Sequence, residues 1–527
     1  MQSGLAAHHG NVALVLDRPR PASPAVERDL GRWVVPVAVM FVMVLRLPFL
    51  NHAASPDEAG FLIVGTQWHT GGTSLYGNYW VDRPPLLIGI FHLASMLGGL
   101  PALRVLGCLA AGLTVLGSAK AAGSIGGQRA AGWTAVVAAA LFTTPLLGTI
   151  AVNGELLASP FIAWSITATV AALRTDDVGR ARLLAIGAGA SGMAALLVKQ
   201  NLADALVFGL VATAIACHCG EITRRHGVRI VVAAIGGAAI TVYAVALMTS
   251  LHGTSLQGIF EATYPFRIEA GRVMAAAGRQ HATPRLISLL VAFAASGMAI
   301  LVASIVWGTA SRRLRDAASQ GLAATMLFAA LSVAVGGNYW THYLVEPIVP
   351  MAIVIGVLVA RHQPFTRALV ATVAVVSVAS WAIWLLVDPP STGSDIGRTI
   401  AASAAPGDTI VVAYGHAEVV GSSGLSSPYR YLWSLPVKTL DPQLHELNRV
   451  LSGPEAPTWF VTWNRVRSWG LDSTAVREAL ARDYRPVDRI CGRTVYLRNG
   501  ITRPELHAPT VCPTATAADN LTKEYLP

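Results

Sequence analysis

Apolar runs of about 20 residues recur from Trp33 to Leu386, separated by short polar or arginine-bearing stretches, and the pattern stops after Asp388. A helix of that length spans roughly 30 Å, the thickness of a bilayer's hydrocarbon core. Read in order, the runs predict about eleven membrane spans, at approximately 33–50, 103–120, 130–150, 156–173, 182–198, 201–219, 229–251, 285–308, 319–336, 344–360 and 367–387. The fold class expected is therefore an α-helical polytopic membrane protein.

The stretches between runs fall into two kinds. Lys120 to Arg129, Arg174 to Arg182, Arg224 to Arg229, Arg312 to Arg315 and Arg361 to Arg367 are basic, as is the segment holding Arg18, Arg20, Arg28 and Arg32. Basic loops stay on the cytoplasmic side. The stretches at 152–156, 199–201 and 336–343 and the longer segment His252 to Pro284 make the other kind. The two alternate only if Pro84 to Gly99 does not cross. That stretch is short, opens on two prolines and carries His92, which fits an amphipathic helix lying in the interface.

With the amino terminus inside, an odd number of spans puts the tail outside. The expected organisation is a cytoplasmic segment 1–32, a membrane domain 33–388, an external domain 389–500 and a loose extension 501–527. The tail carries strand-like runs at 409–415, 458–463 and 493–498 and a helical pattern at 473–484, which together predict a small α/β domain.

Composition agrees with this reading. Of 527 residues 53% are hydrophobic and 13% charged, with mean hydropathy +0.52; a soluble domain carries about 25% charged residues. The net charge of +10 is dispersed between apolar runs rather than gathered into a stripe, so membrane topology explains it and a nucleic-acid partner is not expected. The first thirty residues lack a cleavable secretory signal. The five cysteines match no zinc spacing. Cys491 and Cys512 lie in the polar tail, where an oxidising exterior would permit a disulfide if geometry allows it.

The chemistry-bearing stretch is "PDEAGFLIVGTQWHTGGTSLYGNYWVDRPPLL", residues 56–87, just after the first span. Asp57 and Glu58 stand where a charge either caps a following helix or faces a cavity. Arg83 precedes two prolines that restrict its backbone. Its guanidinium suits a phosphate through paired hydrogen bonds, or a lipid headgroup.

This stretch resembles the first external loop of the GT-C glycosyltransferases, the superfamily of protein O-mannosyltransferases and bacterial aminoarabinose and arabinofuranosyl transferases. Asp57 and Glu58 match the acid pair, Arg83, Pro84 and Pro85 the basic residue with its prolines, and Arg104 the arginine opening the next span. "NYWTHYLVEPIVP", 338–350, resembles a late external segment of the same proteins. Many members have a lysine at the place of Arg83, and some have an arginine where this chain has Gly60 and Phe61.

The resemblance implies the GT-C fold and transfer of a sugar from a polyprenyl-phosphate donor to a glycan, lipid or protein acceptor outside a bacterial cytoplasmic (inner) membrane, usually with inversion. Such a displacement needs one base and cations for the leaving phosphate. Asp57 is the expected base, Glu58 orients the sugar or the loop, and Arg83 meets phosphate. Glu155 either contacts substrate or caps its helix. Lys199 meets phosphate or anchors its turn. His342 and Tyr343 line the site or join an aromatic belt. In the long external segment, Tyr264 and Arg267 are the candidates on a lid. Mannose stands slightly ahead of arabinofuranose. No essential metal or other cofactor is expected, because adjacent acids make no oxygen cage and the sugar rides on a single phosphate. The alternatives are a transporter or flippase for a lipid-linked glycan, which would place polar residues in mid-span, and a sensor with an external ligand-binding domain.

Overall fold

The computed structural model describes residues 24–276, 282–311, 316–361, 364–387, 391–463 and 471–507. Arg18, Arg20, Arg279, the arginines of 312–315, Asp388, Cys512 and the extension from 508 lie outside the described residues. The membrane part runs α1 Pro24–Val44, α2 Pro56–Thr66, α3 Pro85–Met96, α4 Leu100–Thr143, α5 Gly154–Leu173, α6 Val178–Val198, α7 Asp204–His218, α8 Arg224–Leu251, α9 Leu256–Thr263, α10 Pro265–Ala276, α11 Ala282–Ala295, α12 Met298–Ala310, α13 Ala317–Gly336, α14 Ile348–Arg361 and α15 Pro364–Val387. Among the described residues, seven helices are long and apolar enough to cross a membrane, and an eighth crossing follows if α11 and α12 make one span.

The expected runs are found, with two corrections. The second and third runs are two helices within the range of α4 that meet, inside the basic stretch, at Gly127, whose φ of 79° and ψ of −176° no other residue adopts cheaply. The run at 285–308 is two helices meeting at 69°, with Gly297 in the left-handed region at φ 81°. The long segment after His252 folds largely into α9 and α10 rather than staying loop.

Position, not hydropathy, separates the helices inside the bundle. In the apolar window of Thr341–Arg361, 89% of residues are buried, against 22% for Arg224–Leu251. The first leads into α14, packed along α4 at the centre; the second is α8, on the rim. Helix α3 has 12 residues, about 18 Å of helix, too short to cross ~30 Å. It pairs with α2 at very close range: a Cβ on Gly65 would lie 2.7 Å from the His92 backbone nitrogen. The His92 Nδ1 sits 2.7 Å from the Gly65 carbonyl oxygen.

The tail contains α16 Thr392–Ser403, β1 Ile410–Ala413, α17 Ala417–Ser423, α18 Ser434–Leu440, α19 His445–Ser452, β2 Trp459–Thr462, α20 Thr474–Asp483, β3 Tyr484–Ile490 and β4 Arg493–Arg498. The sheet order is β1-β2-β4-β3. Strands β1 and β2 pair in parallel with Val411 opposite Phe460, and β2 runs antiparallel to β4 with Phe460 opposite Tyr496. Strand β3 has no expected counterpart: its sequence, YRPVDRI, is an edge strand with Pro486 and three charges, and it leaves no apolar alternation to read. It turns into β4 through Cys491 and Gly492, both at positive φ, as a two-residue hairpin requires. Cys491 is disulfide-bonded, and Cys512, its expected partner, lies outside the described residues. Cys108, Cys217 and Cys219 are free thiols.

This domain rests on the first external loop. The Trp80 N–H donates to the Arg430 carbonyl at 3.1 Å, the Ser427 N–H donates to the Tyr79 hydroxyl at 3.0 Å, and α17 packs on α2.

Candidate active site

Helix α2 begins with a capping box. The Ser55 hydroxyl accepts from the Glu58 N–H at 3.2 Å and the Glu58 carboxylate accepts from the Ser55 N–H at 2.9 Å. Glu58 is wholly buried. Its oxygens also accept from Arg104 at 3.1 and 3.2 Å and from the Val152 N–H at 2.9 Å. Arg104 in turn donates to the carbonyls of Phe49, His52 and Ala53. Of the two roles expected of Glu58, this geometry performs the loop-orienting one: the pair ties the end of the first span to the opening of α4, and no surface is left for a sugar.

One residue earlier, and roughly 100° around the helix, Asp57 points elsewhere. It is half-buried, and its Oδ1 accepts from the Trp433 indole N–H at 2.9 Å. Trp433 comes from the C-terminal domain, just before α18. Among the described residues, Asp57 has no cation in direct contact.

The loop before α3 supplies the positive charge. Arg83 donates to Asp82 Oδ1 at 2.8 Å and lies over the Phe61 ring at 5.7 Å. Arg267, from α10, pairs with the other Asp82 oxygen at 2.8 Å. Burial pushes the Asp82 carboxyl up, but Arg267 and Arg83 outweigh it and hold it below the usual carboxylate range. Burial works against the Arg83 charge as well; Asp82, then Asp57, Tyr343 and Glu155, more than offset it and raise its basicity. For Arg267 burial prevails and lowers it.

A second ion pair closes the opposite wall. The Asn153 side chain caps α5 by accepting from the Leu156 N–H at 2.9 Å, which leaves Glu155 in the first turn to pair with Lys199 at the end of α6. Lys199 also lies 4.6 Å from the centre of the Tyr343 ring, and His342 Nε2 is 3.8 Å from Glu155. The Gln200 amide donates to the Asp82 carbonyl at 3.2 Å, joining the two walls.

The fold thus brings together Asp57, Arg83, Glu155, Lys199, Arg267, His342 and Tyr343 from six separate stretches. Tyr264 does not join them: it is 48% exposed and packs on Phe260 with ring centres 5.6 Å apart. Two site residues escape the sequence reading. Asp82 had a signal, since it adjoins Arg83 in "VDRPP"; Trp433, 376 positions from its partner, had none. Further in, the Asn201 amide donates to the buried Glu346 carboxylate at 3.0 Å, near buried Asp204. Among the described residues no group of three or more His, Cys, Asp or Glu could hold a metal ion.

No family model and no curated protein matches the sequence. Among solved structures the chain is similar to ArnT from Cupriavidus metallidurans bound to undecaprenyl phosphate, with TM-score 0.58 and 16% identity over 90% of this chain and 98% of that one. It is also similar to the apo oligosaccharyltransferase of Archaeoglobus fulgidus, with TM-score 0.51 and 12% identity over 83% and 70% of the two chains. What is shared at such identities is the path of the backbone. The helical bundle, the paired short helices after the first span and the C-terminal domain seated above them make this the GT-C fold.

Proposed function

We propose that the chain is a membrane glycosyltransferase that moves a sugar from a polyprenyl-phosphate donor to an acceptor on the external face, with inversion at the anomeric carbon. The observation that carries this reading is Asp57: a half-exposed carboxylate with one oxygen held by a neutral donor, set among arginines committed to Asp82. The ArnT structure of similar fold holds undecaprenyl phosphate, which supports a lipid-linked donor here.

In the proposed step, Asp57 Oδ2 takes the proton of an acceptor hydroxyl as that oxygen attacks the anomeric carbon. The bond from that carbon to the phosphate oxygen breaks, and the lipid phosphate leaves with its electron pair. Arg83 spends one nitrogen on Asp82 and turns its remaining N–H groups to the departing phosphate. The Lys199–Glu155 pair and His342 hold the far side of the site, and Arg267 anchors α10 across the top. Mannose is the first sugar to test and arabinofuranose the second.

Purified protein in lipid nanodiscs is incubated with radiolabelled decaprenyl-phosphate mannose or arabinofuranose and a membrane glycan extract, wild type beside Asp57→Asn. Transfer by wild type alone supports the reading. Equal transfer by both removes Asp57 as the base, and no lipid-sugar consumption by wild type with either donor rejects the proposed substrates.

A further inference from the structure

We infer that Trp433 is a positioning residue for Asp57, through which the C-terminal domain sets the orientation of the base; this rests on the catalytic reading of Asp57 above. The contact joins two parts of the chain that share no local sequence. It is also built, not incidental. The indole lies against Gly60, where an added Cβ would come within 2.3 Å of Trp433 Cζ2 and 3.1 Å of the Ala417 methyl. Its other neighbour is Phe61, with ring centres 5.0 Å apart and planes at 33°. Upstream, Leu432 and Tyr431 are buried in the domain, and Tyr431 bridges to Trp80. The ring is therefore held on both sides and its N–H has one direction to point.

The choice of donor matters. An indole N–H donates and never accepts, and it carries no charge. It fixes the carboxylate rotamer through Oδ1 and leaves Oδ2 for the acceptor proton. A lysine or arginine in the same place would form an ion pair and compete for both carboxylate oxygens. Gly60 is the counterpart of this arrangement in α2, since any larger residue there displaces the indole.

Losing the indole N–H therefore frees the carboxylate to rotate, and Oδ2 no longer meets the acceptor hydroxyl in a fixed geometry.

The test uses full-length protein in nanodiscs with whichever decaprenyl-phosphate sugar the wild type consumes, and compares Trp433→Phe, Gly60→Ala and Asp57→Asn. Both indole variants are expected to lose about tenfold in kcat and to keep donor KM within about twofold. A folded Trp433→Phe with wild-type kcat, beside an inactive Asp57→Asn, overturns the inference alone. If Trp433→Phe fails to fold, Gly60→Ala decides by the same criteria. Equal turnover by Asp57→Asn and wild type overturns the catalytic reading, and the inference with it. A readout independent of activity is the Trp433 indole proton in 15N-tryptophan-labelled protein, assigned by its absence in Trp433→Phe. Its shift should move in Asp57→Ala, where the accepting oxygen is gone; an unmoved signal overturns the contact.

Discussion

On the bundle side of α2, Glu58 is fully buried and bonded by Arg104, Ser55 and Val152, whereas on the domain side Asp57 meets one indole N–H and open space. The two acids are adjacent in the chain and chemically alike. What separates them is the helix, which turns by roughly 100° per residue and gives each a different surrounding. A buried carboxylate with a matched guanidinium is costly to disturb and has no capacity left for chemistry. A half-exposed one without a cation in direct contact keeps an accepting oxygen. The acid pair is thus one buried, fully bonded carboxylate and one with an oxygen to spare.

Substitutions can break that contrast directly. Asp57→Asn should lower sugar transfer by about 10²–10⁴-fold, the usual worth of a general base, while the thermal unfolding midpoint in detergent stays at the wild-type value. Glu58→Ala should do the opposite first: leaving Arg104 buried and unpaired costs about 3–5 kcal/mol, seen as a large fall in that midpoint. A stable Glu58→Ala protein that still binds but no longer transfers would reverse the assignment.

Smaller effects test the walls. Lys199→Met should cost about 2 kcal/mol, less than Glu58→Ala because His342 lies 3.8 Å from Glu155 and offsets part of the loss. The double variant Lys199→Met with Glu155→Gln should recover part of that, and additivity of the two singles would deny the pair. Arg267→Ala should cost about 1 kcal/mol, faster amide exchange across α10 and a donor KM raised a few-fold. Unchanged exchange would mean that α10 is held by packing alone.

The smallest expected effect is with pH. Asp82 has a depressed folded pKa, so its contribution is fully present above the unfolded carboxylate value, about 3.9, and is lost as pH falls through the lower folded value. Protection of the α10 amides, with the intrinsic base catalysis of exchange divided out, should therefore be flat from about pH 5 to 8 as far as this pair is concerned. Loosening that begins near neutral pH would point to a histidine instead.

Much of this was legible in the chain because it depends on short-range rules. The spans follow from run length, the short helix α3 from two prolines and an apolar stretch too brief to cross, and the start of α2 from the two acids after Pro56. The walls were partly legible, since Glu155, Lys199 and His342 each sit at a span end that alternation assigns to one face. Tyr264 misled because a segment read as one loop is two helices, and α9 turns that side chain outward. Strand β3 was missed because an edge strand needs no apolar face. Asp82 adjoins Arg83, yet neighbouring charges rarely pair usefully in an extended chain, so the spacing alone leaves their ion pair unread.

Sequence by itself determined the helical membrane architecture, the shortness of α3 and the start of α2 at its acid pair, since hydropathy, helix length and capping act within a few residues. Only the tertiary structure decided which acid is free. That choice rests on Arg104, 46 positions from Glu58, and Trp433, 376 positions from Asp57. No local pattern encodes contacts formed when distant segments pack.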